Sequence, residues 1–473
     1  MKKVLALILA SLMVVSLAAC NNPTPSSQPA GSSAAPETTA APDTKTPETT
    51  ATPVPEKEIE ISYWDENATD QRTPYFEEMI RRFEAQNPGI KIKYTGLVQA
   101  ESMNKYLQAI EGGTTPDTGG CKGDQQSQLV DSGHLVELDQ YCANWDEFKD
   151  LTPSVMKVLA DRGQGKLYLL PRSANVSIFW YNKTLFDKAG LGDPYDWTWT
   201  DWFNNVAAVN DPANEQYSLA FRGGKGGADS LYNYIYDYMG FSDQIGADGK
   251  SNINTKEAVE FVEKYVGLFG KYTSVDDLRQ TYTDMTTEFD TGAAAIMFHN
   301  LGSFPDHVKN FPALNMEFGA APLPKSDFTG KTVGWSGALA SVMFDTCPEE
   351  EREAAFKWIA YLASEEGNGY FNQMIGQLPT NLRCANAPWL EEQFHIKMAL
   401  KLTASDRYDE QPSLSYMPDW GSMLSGMEPR IQSLALTLNG DTEEEVKSAQ
   451  QLLDEWEESI NNMIDNYNKS QNK

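Results

Sequence analysis

The sequence predicts an α/β protein folded into two lobes, with an unfolded segment in front of them. Strand-like and helix-like stretches alternate along the chain after residue 57, which is typical of sheets covered by helices. The roughly 415 residues in this part exceed what a single hydrophobic core usually holds. Near residue 175, one strand leads through a short polar stretch into a second buried strand, as expected where a chain crosses between lobes.

The first 20 residues have the pattern of a lipoprotein signal. Two lysines precede an apolar run, which ends in small residues just before Cys20. We predict cleavage before Cys20 and a lipid on its sulfur, which contributes about 0.8 kcal/mol of membrane affinity per buried methylene. The alternative, a transmembrane anchor, is disfavoured because the run is short. The mature protein is therefore expected on the extracellular face of the cell membrane.

Residues 21–56 predict a disordered tether. They are rich in Pro, Thr, Ser and Ala and contain almost no large apolar side chain. Such a segment cannot bury enough surface to offset its conformational entropy. Its prolines favour the polyproline II conformation, which advances about 3.1 Å per residue, so the tether would hold the folded part away from the membrane.

The folded part opens with a strand, a helix and a second strand. Residues 58–63 alternate between apolar and polar side chains, and residues 75–86 carry apolar side chains at helical spacing. An Asn-Pro-Gly turn ends this helix, and residues 90–94 alternate again as a strand. This unit predicts the beginning of an α/β lobe.

The central stretch, residues 165–190, predicts a second strand and helix. Residues 175–181 are β-branched and aromatic and follow Pro171, so we expect a strand that is buried on both faces. Thr184 is placed to cap the next helix, and Gly190 to end it in the left-handed conformation.

Several aromatic and glycine-rich stretches could either bind a ligand or serve only the structure, as core residues or as a loop. In the stretch 197–203, Thr200 is expected to cap a helix that turns Trp202 into the core, and packing is favoured over ligand binding. The helix predicted at 231–239 is dense in tyrosine, whose rings could face either the core or a cleft. The glycine cluster 223–227 does not satisfy the phosphate-loop pattern GxxxxGK[ST], so a flexible loop is predicted there.

The composition excludes several classes of partner and site. A formal net charge of −29 disfavours nucleic acid and argues against a strongly anionic ligand. The four histidines show no metal-ligand spacing and no CxxC pair occurs, so neither a metal nor another cofactor is expected. The cysteines beyond Cys20 are interpreted as small buried thiols, with a 121–142 or a 347–384 disulfide as the open alternative outside the cell. They are Cys121, Cys142, Cys347 and Cys384.

Four stretches together resemble the extracellular solute-binding proteins of ABC importers, in the sugar-binding family (family 1). They are FEEMIRRFEAQNPGIKIKY at 76–94, GKLYLLP with YNKTLFDKAGL at 165–191, FDTGAAAIM at 289–297, and GQLP at 376–379. The resemblance implies a type II periplasmic-binding-protein-like fold, with two lobes joined by crossover hinge segments. It implies a first lobe of residues 57–174 and 338–392, and a second lobe of residues 175–337 and 393–473. The Thr-Gly-Gly at 118–120 departs from the apolar strand of relatives and leaves the local backbone undetermined.

The resemblance also implies ligand-binding residues in the loops that face the cleft. An aromatic ring can cover the C–H face of a sugar, while carboxylates accept hydrogen bonds from its hydroxyls. Trp64 fits a core position as well as it fits a ligand-binding one. Trp335 is the leading candidate for stacking on a sugar, because small residues flank it. The implied residues are Trp64, Asp65, Glu66, Asp124, Arg172, Asn175, Arg222, His299, Phe304, Trp335 and Trp420.

The function implied is capture of a carbohydrate, with an oligosaccharide favoured, and its delivery to the permease of an ABC importer. No catalysis is expected, and we expect a monomer. One alternative is an extracellular glycoside hydrolase that would use Asp65, Glu66 and Asp124, since such enzymes need paired carboxylates. A receptor for a metal or an amino acid is the other alternative, and the eleven tryptophans favour sugars over it.

Overall fold

The computed structural model describes residues 58–471 apart from residues 100, 164, 336 and 418. The predicted signal, Cys20 and the predicted tether lie outside the described residues. The strands are β1 Ile59–Asp65, β2 Ile90–Gly96, β3 Thr118–Cys121, β4 Leu170–Ser173, β5 Ser177–Asn182, β6 Tyr217–Leu219, β7 Ala294–Asn300, β8 Phe318–Pro322, β9 Thr332–Trp335, β10 Leu339–Met343 and β11 Tyr408–Gln411.

Helices surround these strands throughout the described chain. The helices are α1 Thr73–Gln86, α2 Ser102–Gly112, α3 Gly123–Asp131, α4 Asp139–Cys142, α5 Pro153–Arg162, α6 Lys183–Ala189, α7 Trp199–Asn205, α8 Gly227–Met239, α9 Lys256–Val266, α10 Tyr282–Asp290, α11 Phe304–Asn310, α12 Arg352–Ala363, α13 Glu365–Ile375, α14 Phe394–Thr403, α15 Trp420–Leu438 and α16 Ala449–Gln471.

Two open sheets form the centres of two lobes, which confirms the predicted fold class. The first sheet has the order β2-β1-β3-β10-β4, in which β10 runs antiparallel to its neighbours and β1 runs parallel to β2 and β3. The second has the order β6-β7-β5-β8, with β5 antiparallel to both neighbours. A small parallel pair, β9 with β11, completes the strands in the described part.

The chain passes between the sheets where the sequence predicts a crossing. β4 ends at Ser173 in the first sheet and β5 begins at Ser177 in the second. The chain returns to the first sheet between β9 and β10. The lobe boundaries at residues 174, 337 and 392 stay a prediction.

Three apolar clusters stabilise this arrangement. One fills the second lobe and contains Trp199, Trp202 and Tyr232, so the packing interpretation of the tryptophan-rich stretch is confirmed. A second cluster lies on the first sheet. A third contains both Trp180 from β5 and Ala340 from β10, and it therefore joins the two lobes near the crossing.

The predicted N-terminal caps of α6 and α7 are each wrong by two residues, while the predicted C-terminal end of α6 is confirmed. Asn182 caps α6 by accepting the backbone N–H of Leu185 at 3.1 Å, because the Thr184 hydroxyl accepts instead from Glu317 N. Thr198, not Thr200, caps α7, because Asp201 three residues later completes a capping box. Gly190 ends α6 with φ of 71°, as predicted.

The described cysteines are buried thiols. Cys121, Cys142, Cys347 and Cys384 are all buried and form no disulfide with one another, so the thiol interpretation is confirmed. Within residues 58–471, no helix is both long enough and apolar enough to cross a membrane.

The Thr-Gly-Gly stretch forms β3, and the close approach of neighbouring side chains requires its glycines. A Cβ on Gly119 would overlap the Tyr106 hydroxyl, and a Cβ on Gly120 would overlap the Glu66 carboxylate. The same atom on Gly120 would also lie 2.9 Å from the Tyr63 hydroxyl. The departure from an apolar strand thus makes room for polar side chains.

Gly120→Ala is expected to lower the free energy of unfolding by about 1–3 kcal/mol, because the added methyl group overpacks a buried polar cluster. Urea unfolding measures this change. Gly426→Ala is the matched control, since Gly426 lies in α15 with no heavy atom within 4 Å of an added Cβ. The control should gain about 0.5–1 kcal/mol from helix propensity. Equal effects in the two variants would contradict the proposed reason for the glycines.

Candidate functional site

The carboxyl ends of several strands meet where the chain crosses between the sheets. β1, β3 and β4 run in one direction and end at the same edge of the first sheet. In the second sheet, β5 starts beside the end of β7, with Ser177 opposite Asn300. Ligands of open α/β sheets bind outside the carboxyl ends of the strands. We call this region, formed by the loops after β1, β3, β6 and β7, the loop edge.

Two antiparallel segments form the floor between the lobes. Ala174 and Leu378 exchange backbone hydrogen bonds of 2.9 and 3.0 Å, and residues 173–176 with 377–379 are here called the crossing ribbon. The Ser173 hydroxyl donates to Gln377 Oε1 at 2.6 Å. The side-chain oxygen of Asn175 accepts the N–H of Leu301 at 3.1 Å and so ties the ribbon to the end of β7. The role of Asn175 in binding ligand stays a prediction.

Three of the predicted residues lie together in a buried cluster of charges. Arg172 Nη2 donates to both oxygens of Glu66, at 2.7 and 2.9 Å. Arg72 Nη2 donates to Glu66 at 3.0 Å and to Asp65 at 3.1 Å. Asp65 also accepts the Tyr94 hydroxyl at 3.0 Å. These four charged residues, which we call the ion cluster, are at least nine-tenths buried.

Aromatic rings enclose both arginines of the ion cluster. The guanidinium of Arg172 lies 5.2 Å from the Phe371 ring centre and 5.5 Å from that of Phe76. Arg72 lies 5.1 Å from the same Phe371 ring. Such placement of a cation over a ring face is favourable, the more so when water is excluded.

The surroundings of the ion cluster shift the pKa values of its two carboxyl groups in opposite directions. Burial alone would raise the pKa of Glu66, but the charges of Arg172 and Arg72 outweigh it and lower the pKa to about 2. Burial raises the pKa of Asp65 above its ordinary value, and Arg72 only partly offsets this effect. The carboxylates bind arginines of the same chain, so the cluster supports the loop edge from beneath. Contacts of Asp65, Glu66 and Arg172 with a ligand stay predictions.

The predicted aromatic residues are placed differently from one another. Trp64 is half-buried, with its ring 5.5 Å from that of Tyr106. Phe304 stacks on His395 with ring centres 3.8 Å apart. Trp420 packs edge to face on Tyr232 in the core of the second lobe, and its contact with a ligand stays a prediction. The side chains of Asp124, at the start of α3, and of Trp335, at the end of β9, lie outside the described residues.

The second lobe contributes an aromatic pair at the loop edge. His299, near the end of β7, stacks on Tyr282 with ring centres 4.3 Å apart, and its Nδ1 lies 2.8 Å from the Ser303 hydroxyl. Burial, and then the charge of Arg222, lowers the pKa of His299 to about 3, so the ring is neutral at physiological pH. Both rings are half-buried. The pair offers a flat, uncharged surface of the kind that packs on a sugar ring.

Arg222 lies near His299 and shapes the glycine-rich loop. Its Nε donates to the carbonyl of Lys225 at 2.9 Å, which closes the turn that leads into α8. Gly226 has a φ of 85°, a left-handed conformation that favours glycine, and an added Cβ would also displace this guanidinium. Arg222 lies close enough for its charge to act on His299, and contacts of both residues with a ligand stay predictions.

A pair of buried carboxyl groups lies beneath the glycine-rich loop. Asp277 accepts the N–H of Phe221 at 3.1 Å, and Glu288 accepts from Gln280 at 2.8 Å. Burial, and then the charge of Glu288, raises the pKa of Asp277 to about 8, and burial raises that of Glu288 to about 7. The pair therefore releases its protons at a higher pH than ordinary carboxyl groups do.

Sequence reasoning missed two residues near the crossing. Tyr282 lies on α10, and its stacking partner is seventeen positions away, so no local motif marks it. Gln411, at the end of β11, is 1% exposed, and neither its side-chain oxygen nor its nitrogen has a hydrogen-bond partner in the described part of the protein. A buried amide without partners is costly unless another group satisfies it. Gln411 lies opposite Trp335 in the pair of β11 with β9, which makes it a further candidate for binding ligand.

Comparison with known proteins adds a family and a fold. A protein-family model described as bacterial extracellular solute-binding protein matches residues 69–369. A putative binding protein of Brucella abortus is 25% identical over 370 residues, covering 77% of this chain and 85% of the relative. The maltodextrin-binding protein of Bacillus subtilis is 22% identical over 459 residues, covering 91% of this chain and 92% of the relative.

A solved structure has the same architecture. The sugar-binding protein MalE from Xanthomonas citri superposes with a TM-score of 0.72 at 17% sequence identity, covering 88% of this chain and 100% of that chain. At this identity the likeness concerns the fold, and it agrees with the two sheets and the crossing described above.

Arg172→Met is expected to lower the free energy of unfolding by about 3–5 kcal/mol, because it leaves the buried Glu66 with fewer partners. Urea unfolding measures the loss. Arg81→Ala is the control, since Arg81 pairs with Glu78 at an exposed position and its loss should change stability far less. A loss in Arg172→Met no larger than in the control would show that the ion cluster does not stabilise the fold.

Glu288→Gln is expected to flatten the dependence of stability on pH between pH 5 and 9. Because the folded-state pKa values of Asp277 and Glu288 lie above those of unfolded carboxyl groups, about 4, their contribution to stability is full at low pH. It is lost as the pH rises through about 7–8. Urea unfolding at intervals across this range tests the slope, with Glu263→Gln, an exposed carboxylate on α9, as the control. An unchanged slope in Glu288→Gln would contradict the assignment.

Proposed function

The chain belongs to the bacterial extracellular solute-binding proteins, and from this premise we propose that it captures a carbohydrate between its lobes and delivers it to an ABC importer. The relatives named for sugar binding support the choice of ligand. The observation that supports this proposal most strongly is the uncharged Tyr282–His299 pair at the loop edge. An oligosaccharide is favoured over a single sugar.

Binding would act through the hinge and without chemistry on the ligand. A sugar that contacts loops of both lobes only when they approach each other shifts the equilibrium toward the closed state. The crossing ribbon supplies the hinge, because residues 173–176 pass there from the first sheet to the second and pair with the segment 377–379. We assign residues 57–174 with 338–392 to one moving body, and 175–337 with 393–473 to the other.

The ion cluster argues against a glycoside hydrolase. Such an enzyme needs one carboxyl group that holds a proton for the leaving group and a second carboxylate across the scissile bond. Glu66, with its pKa of about 2, carries no proton at neutral pH, and Asp65 is held by Arg72 and Tyr94. Glu66 is therefore not available as the acid. Burial raises the pKa of Asp65, but this residue is fully buried and paired with Arg72, so it is badly placed to protonate a leaving group.

The anchoring belongs to the same proposal. A lipid on Cys20, followed by the tether of residues 21–56, would keep the binding protein at the outer surface, where the permease can meet it. Mass spectrometry of the membrane-extracted protein tests this assignment. An unmodified Cys20 at an uncleaved N-terminus would reject it.

Saccharides that bind should raise the midpoint of thermal unfolding, because they bind only the folded protein. A screen with mannitol, maltose, maltotriose and galacto-oligosaccharides identifies the ligand. Tyr282→Ala should then weaken binding of the best sugar about 5- to 10-fold in calorimetric titration, because it removes an aromatic face.

Tyr370→Ala is the matched control for this loss, since Tyr370 is a half-buried tyrosine on α13 that stacks with Arg82 instead. Trp335→Ala should weaken binding in the same way as Tyr282→Ala. No midpoint shift with any sugar, or a shift with cleavage of the sugar, would overturn the proposed function. Equal affinity of Tyr282→Ala and wild type would remove the aromatic pair from the site.

A further inference from the structure

A second groove lies behind the crossing ribbon. Successive side chains of an extended segment point to opposite faces. Ser173 and Asn175 face the loop edge and make the contacts described above, whereas Ala174, Val176 and Leu378 line a pocket of about 150 Å³. This pocket is therefore on the other face of the ribbon from the loop edge.

The pocket continues into a larger cavity of about 480 Å³. The two share Ser154 and Glu410 in their lining, and we call them together the rear groove. One wall of the cavity consists of α3 and α5, and the other consists of residues 410–416 and the end of α16. The combined volume falls within the range of about 300–1,000 Å³ that is usual for small-molecule sites.

The two walls belong to different lobes. α5 packs beside β4 and α3 beside β10, both of which are strands of the first sheet. On the other side, Leu414 and Met417 belong to the apolar core of the second lobe, as do several residues of α16. A molecule in the rear groove would consequently contact both lobes at once.

Aromatic rings line the wall from the second lobe. Tyr416 and Tyr467 are half-buried and meet edge to face, with ring centres 5.3 Å apart. The charge of Asp131, at the end of α3, adds to burial in raising the pKa of Tyr467, so this carboxylate lies near the tyrosine across the groove. Val158 and Pro412 add apolar surface.

Hydroxyl and carboxylate groups surround these rings. Ser127, Ser154 and Ser413 each offer a hydroxyl to the cavity. Glu410 and Asp161 each offer a carboxylate, and that of Asp161 also accepts a hydrogen bond of 2.6 Å from Lys157 Nζ. Aromatic faces beside acceptors of hydroxyl hydrogen bonds are the combination that suits a polyhydroxylated ring. Lys157 and Arg162 also line the cavity, so its carboxylates are largely balanced by cations and its lining suits a neutral ligand.

We propose that the rear groove, between α3 and α5 on one side and residues 410–416 with Tyr467 on the other, is a second binding site for a neutral saccharide. The ring of the sugar would lie on Tyr416 and Tyr467, and its hydroxyls would donate to Asp131, Asp161 and Glu410. The site is separate from the loop edge because the crossing ribbon lies between them.

Occupation of the rear groove would also be linked to the hinge, a consequence that rests on the proposed function. If the lobes close at the loop edge by rotation about the ribbon, the walls of the rear groove change their separation. A sugar that fits one separation better than the other shifts the hinge equilibrium. By linkage, the two sites must alter each other's affinity by the same factor.

Calorimetric titration with maltose and with D-mannitol tests the proposal on the whole mature chain. The wild type should bind one of these probes in two phases. Tyr416→Ala should weaken one phase at least about fivefold, and Tyr416→Leu, which keeps apolar volume, should weaken the same phase. Tyr75→Ala, a half-buried tyrosine on α1, is the control and should leave both phases unchanged.

Comparison with Tyr282→Ala distinguishes the two sites. A phase lost only in Tyr416→Ala and Tyr416→Leu supports the rear groove, and its survival in Tyr282→Ala shows that it does not depend on the loop edge. A single phase that Tyr282→Ala removes and the Tyr416 variants leave intact overturns the rear groove and keeps the proposed function. Absence of binding of both probes to the wild type overturns the rear groove.

Discussion

The ion cluster is the constraint on which the first lobe depends. Two guanidiniums and two carboxylates are removed from water together, at a cost of several kcal/mol per ion that only their mutual contacts can offset. These contacts fix the end of β1, the residue before α1 and the end of β4 in one geometry. Asn368 and Asn372 on α13 both donate to the carbonyl of Arg172, so the helix layer is held to the same point. Gly120 of β3 leaves room for the Glu66 carboxylate of the cluster.

The cluster also sets where the chain leaves the first lobe. Arg172 is followed directly by Ser173 and the crossing ribbon, so a rigid buried charge pair lies next to the segment that must act as a hinge. A hinge works when its flanks are stiff and only a few residues change conformation. The buried cluster on one side, and the aromatic core around Trp180 on the other, supply these stiff flanks.

The loop edge and the rear groove share the ribbon but differ in how they are built. Beside the aromatic pair of the loop edge, burial holds His299 neutral, and beneath the glycine-rich loop burial raises the pKa of Asp277 and that of Glu288. In the rear groove, carboxylates such as Asp161 are exposed to solvent. Burial thus decides the charge of each surface more than composition does, which explains how so acidic a chain can present an uncharged aromatic pair.

The sequence by itself determined the elements, the two-lobe architecture and the crossing near residue 175, because apolar periodicity, caps and turns act within a few residues. It also grouped Asp65, Glu66 and Arg172 as functional residues. Only the tertiary structure decided that they face one another, since Arg172 and Glu66 are separated by 106 positions in the chain. The stacking of Tyr282 on His299, the burial of Trp420 and the rear groove likewise depend on contacts between distant segments. No local pattern records such contacts, because they arise when the packing of whole lobes brings the segments together.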